Sequence, residues 1–146
     1  MVKNSTATAL VAQPTAAKGS FDSAPSTDPA TVEPGASATF HFSVPSRYAT
    51  YEPDGGALRY PGPRFTLVLT QGDATADVPL RVRLSKGPLI PESPDTTWFV
   101  DAWAPGETSG NSCNTPWSTE LGTATATVTC SSAKLTKTPT QVEVTN

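Results

Sequence analysis

Residues able to do covalent chemistry are scarce in this chain: one histidine, His41, and two cysteines, Cys113 and Cys130. Nucleophilic catalysis pairs a serine or cysteine with an activating base, usually histidine. His41 stands between Phe40 and Phe42 on the polar side of an alternating run, which is the position of a surface imidazole. Neither cysteine has a basic neighbour to depress its thiol pKa. A structural zinc takes four ligands, and two cysteines with one remote histidine do not make the set. A disulfide between Cys113 and Cys130 is the simpler account, the alternative being two buried thiols in a reducing compartment. Closing a loop of ~15 residues stabilises a fold by roughly 3 kcal/mol through the denatured chain. Asp54, Asp95, Asp101, Glu107 and Glu120 fall in or beside expected loops, and paired acids act on glycosides only at a set spatial separation. Neither a glycine-rich phosphate loop nor a metal-ligand spacing occurs. The chain is expected to be no enzyme and to use no cofactor or metal.

Binding chemistry is better represented. Residues 98–103 read Trp-Phe-Val-Asp-Ala-Trp. If Trp98, Val100 and Ala102 face a core, then Phe99 and Trp103 share the other face with Asp101 between them. A flat aromatic surface beside a carboxylate suits a sugar, through stacking on the ring and hydrogen bonds to its hydroxyls. The competing account is a central strand buried on both sides, or an oligomer interface. Residues 47–60 form a long connection holding Tyr48, Tyr51 and Tyr60 between Arg47 and Arg59. Tyr and Arg give large contact area with few rotatable bonds, so this loop is the expected ligand or partner contact. Asn4-Ser5-Thr6 and Asn111-Ser112-Cys113 match N-glycosylation acceptor patterns, which arise often by chance in a Ser/Thr-rich chain.

Charge removes several partner classes. The net charge is −3 and the sequence pI about 5.0. Binding nucleic acid needs cations gathered on one face, and Arg81 with Arg83 is too little. No stretch approaches the roughly 20 apolar residues of a membrane helix. The first eleven residues lack the continuous apolar core of a signal peptide.

The elements that must position these residues follow from period-2 alternation. Residues 122–130, Gly-Thr-Ala-Thr-Ala-Thr-Val-Thr-Cys, place Ala124, Ala126, Val128 and Cys130 on one face and four threonines on the other. Residues 38–44 turn Phe40, Phe42 and Val44 inward. Residues 64–70 and 78–84 form a hairpin with a loop somewhat longer than two residues, Phe65, Leu67, Leu69, Val78, Leu80, Val82 and Leu84 facing the core. Pro79 marks an edge or a strand start. Residues 96–104 and 141–145 are further strands, and residues 115–118 suit a single helical turn. Residues 1–36 are Ser/Thr/Ala/Pro-rich and are expected as a flexible arm or tether, with a weak edge strand near residues 6–11 and Phe21 as an anchor.

These elements predict an all-β chain: an antiparallel β-sandwich of Ig-like or jelly-roll type with six to eight strands over residues 37–146, preceded by the arm. The expected function is a non-catalytic binding or adhesion domain on a cell or particle surface, recognising a protein or glycan. The alternatives are a structural capsid protrusion or decoration domain, self-associating into an oligomer or particle, and a secreted β-sandwich cytolysin or inhibitor.

Overall fold

Regular alternation of apolar and polar side chains generates the strands. The computed structural model describes residues 1–19, 21–43, 64–85, 97–102, 116–129 and 140–146, and for 81–85 and 97–102 it describes the backbone and its pairing. In chain order the strands are β1 Val2–Asn4, β2 Leu10–Lys18, β3 Ala30–Val32, β4 Ser37–Ala38, β5 Arg64–Gln71, β6 Ala74–Ser85, β7 Thr97–Ala102, β8 Trp117–Leu121, β9 Ala124–Thr129 and β10 Gln141–Thr145. They build two five-stranded sheets, β4-β1-β10-β9-β8 and β3-β2-β5-β6-β7. One core joins them: Val2, Ala126 and Val144 of the first sheet with Leu10, Leu69 and Val78 of the second. The architecture is an all-β, two-sheet stack without a helix among the described residues.

Two hairpins share one turn design. Gln71 pairs with Ala74 across Gly72-Asp73, and Leu121 pairs with Ala124 across Gly122-Thr123. Both glycines take positive φ, +58° and +65°, at the first central position, as a type II′ turn requires. The β5–β6 loop is therefore two residues, shorter than the sequence suggests, and β6 starts at Ala74 rather than Val78. The β8–β9 turn lies over the other hairpin: a Cβ added to Gly122 would meet the Ala74 Cβ at 3.0 Å. Close approach of the two tips is what this glycine permits.

The expected arm is instead part of both sheets. β1 lies between β4 and β10, and β2 lies between β3 and β5. Val2, Leu10, Ala12, Pro14 and Val32 are buried, with half-exposed neighbours between them. The Thr/Ala/Pro composition hid this pattern, because Ala12 and Pro14 do not look like core residues. Pro14 is tolerated because β3 pairs only with Leu10, Val11 and Ala12, leaving no strand beside it on that side. Pairing is also not antiparallel throughout, since β1 runs parallel to β10, Val2 opposite Val142. A parallel pair needs a long crossover, and here almost the whole chain supplies it.

Two further expectations change. The run from residue 38 is regular only at β4, followed by a Ser23–Ser43 bridge, although Phe40 and Phe42 still turn toward the core and His41 stays exposed. In place of a helical turn, Trp117 begins β8, which pairs with β9, and Trp117 and Leu121 share the face that packs on the core. Phe21 does anchor its segment: it meets Phe42 edge-on at 6.1 Å, and Phe42 meets Phe65 at 5.5 Å. Ala124, Ala126 and Val128 are buried, as the alternation predicts.

The crossings between sheets depend on Asn4, which is fully buried. Its amide nitrogen donates to the carbonyls of Thr8 and Val32 at 2.9 and 2.8 Å. Its Oδ1 accepts from the Thr6 N–H at 3.0 Å and the Thr6 hydroxyl at 2.8 Å. The Thr6 oxygen accepts from Gln71 Nε2 at 2.8 Å. Asn4 is also tied by its backbone to Ala36 and Gly35 in the turn before β4.

Three stability outcomes follow. Asn4→Ala should destabilise by about 3 kcal/mol in urea unfolding, because it strands several buried polar groups at once; a tether residue would show no change. Gly122→Ala should lose more stability than Gly72→Ala, since both carry the positive-φ penalty of about 1 kcal/mol but only Gly122 lacks room. Ala126→Leu should cost about 2 kcal/mol by overpacking.

Candidate functional site

The two hairpin tips and the Asn4 crossings occupy one end of the stack; the ends of β2 at Lys18 and of β5 at Arg64 lie at the other. Here β2 carries a bulge. Thr15 pairs with Thr66 and Lys18 with Arg64, so two residues of β2 stand opposite the single Phe65. Ala16, within the bulge, has φ +52° and is the one non-glycine positive-φ residue among the described residues. Alanine pays for that left-handed conformation with strain, which often collects at binding sites.

The bulge and the neighbouring strands enclose an open cleft of about 180 Å³. Ala16 and Lys18 come from β2, Arg64 and Thr66 from β5, and Pro79 and Leu80 from β6, with Phe65 completing a mainly apolar lining. Lys18 and Arg64 are exposed, and neither has an ion-pair partner among the described residues. Register extends the charge: Lys18 is opposite Arg64, and Arg64 is opposite Arg81. Lys18, Arg64 and Arg81 therefore occupy successive register positions across three strands, in a chain of net charge −3. Like charges directly opposite on a sheet destabilise it. Asp101 of β7 follows Arg81 in the same row.

The described ion pair lies elsewhere, on the polar face of the first sheet. Lys3 Nζ meets Glu143 Oε1 at 2.7 Å. The Lys3 hydrogen bond, and then that of Ser5, hold the Glu143 carboxyl below its ordinary value. No group of three or more His, Cys, Asp or Glu residues is arranged to hold a metal among the described residues.

Of the residues singled out by sequence, Phe99 and Asp101 lie on β7, the last strand of its sheet among the described residues, at register positions opposite Arg83 and Arg81. Tyr48, Tyr51, Tyr60, Trp103, Cys113 and Cys130 lie outside the described residues. The acceptor pattern at Asn4 is not a glycan site in the folded chain, because both amide hydrogens are engaged and the side chain is buried. Lys18, Arg64 and Ala16 carry no signal in the sequence that marks them as a set. Linear sequence separates Lys18 from Arg64, and nothing in it announces a bulge. Comparison with protein-family models, with curated proteins and with solved structures finds no match to the chain.

The strain at Ala16 is directly testable. Ala16→Gly should stabilise the fold by about 0.5–1 kcal/mol in urea unfolding, against the loss usual for glycine in a strand.

Proposed function

We propose that this chain is a non-catalytic β-sandwich domain that binds a protein or glycan partner at an extracellular or particle surface. The observation that carries this reading is the cleft beside the bulge, where a strained alanine and two cations without an ion-pair partner among the described residues stand against an apolar lining. A row of like charges lowers stability, and an anionic partner would offset that cost. Tyr48, Tyr51 and Tyr60, which precede Arg64 in sequence, are proposed as a further contact, since Tyr gives large contact area with few rotatable bonds. Phe99, Asp101 and Trp103 form another proposed contact, on and beside strand β7. In finer architecture the chain is a sandwich of Ig-like or jelly-roll type, closed by the proposed Cys113–Cys130 disulfide.

A glycan array and a panel of purified surface proteins test this together. The wild-type chain should bind saturably and the Lys18→Glu/Arg64→Glu double variant at least about tenfold more weakly, with unchanged urea stability. Equal binding by both proteins would move the contact away from the cleft. No binding in either panel, together with assembly into a symmetric particle by light scattering, would replace this reading with the capsid-component one.

A further inference from the structure

The cleft has a composition that narrows its ligand beyond "protein or glycan". Its volume of about 180 Å³ is smaller than the 300–1,000 Å³ of ordinary small-molecule pockets, so it holds one ring or one branched chain rather than an extended ligand. Pro79, Leu80 and Phe65 make the lining apolar, and a group with many hydroxyls would leave them unpaired there. The charged atoms are Lys18 and Arg64, with no carboxylate among the described lining residues. The overall charge of the chain is negative, so this concentration of positive charge is local rather than a property of the whole surface. Arginine meets a carboxylate through two parallel hydrogen bonds, and an adjacent ammonium adds a third.

We propose that the cleft binds a carboxylate attached to a single apolar ring or branched aliphatic group. Such a group is carried either by a small organic acid or by the terminal residue of a partner peptide, and both present the same chemistry. The carboxylate sits between Lys18 and Arg64, and the apolar body lies against Pro79 and Leu80. The Thr66 hydroxyl and the bulge backbone at Ala16 border the anion. The proposal rests on reading this cleft as the binding site, and it adds the ligand class.

Amide chemical-shift titration of the intact chain separates the outcomes. The probes are phenylacetate, its neutral amide, and an N-acetylated peptide ending in phenylalanine with either a free or an amidated terminus. Phenylacetate should give saturable shifts at Ala16, Lys18, Arg64 and Thr66. The neutral amide should bind at least about tenfold more weakly, as expected when a charge-assisted pair is lost. Added salt should weaken the acid and leave the amide unchanged. Lys18→Gln and Arg64→Gln should each weaken phenylacetate, whereas Lys3→Gln, remote from the cleft, should not. Tighter binding of the free-terminus peptide than of phenylacetate assigns the source to a partner chain; the reverse order assigns it to a small acid. Equal affinity for acid and amide, shifts remote from the bulge, or no shifts at all overturn the proposal. A glycan or protein whose binding is lost in the Lys18→Glu/Arg64→Glu variant would then still support the binding-domain reading, so the two can fail separately.

Discussion

A buried asparagine with every hydrogen-bonding capacity used holds this fold in register. The chain crosses between the sheets twice near its start, through residues 5–9 and again through residues 33–36. Backbone groups in such crossings leave their ladders and need other partners. Asn4 supplies them: its amide reaches the carbonyls of Thr8 and Val32, and its oxygen holds Thr6. A buried polar network of this kind is favourable only when fully satisfied. Without it, β1 and β3 are three-residue strands with little of their own to keep them in place.

One end of the stack is stitched by these contacts, and the proposed binding cleft lies at the other. At the first end sit the crossings, the two glycine turns and the Gln71 contact to Thr6. At the other, β2 breaks its register and brings Lys18 opposite Arg64. Tolerance of local strain and like charge requires stability elsewhere. Here it comes from a core in which Leu10, Leu69, Val78, Ala126 and Val144 have almost no exposed surface. Short outer strands serve the same economy, since β3 and β4 offer few unpaired groups to another chain.

What could be read in advance depended on whether the signal was local. Alternation at Ala124, Ala126 and Val128, and at Phe65, Leu67 and Leu69, is visible because side chains reverse face at every residue whatever the strand pairs with. β2 obeys the same alternation, yet Ala12 and Pro14 are weak markers of burial, and their environment is set by β5 and by where β3 stops. The candidate site was less legible still. Arg64 is recognisable as a strand start, but its importance comes from Lys18 and Arg81, distant in sequence and adjacent only through pairing.

The amino-acid sequence by itself determined the all-β class, the positions of most inward-facing residues and the scarcity of covalent chemistry, because each follows from residue types and two-residue periodicity. Tertiary structure alone decided that β1, β2 and β3 belong to the sheets, that β1 runs parallel to β10, and that Lys18, Arg64 and Arg81 share a register row. Those are facts of register between strands far apart in the chain. Register is chosen by the summed burial of whole faces and by buried partners such as Asn4, and no local stretch contains that sum.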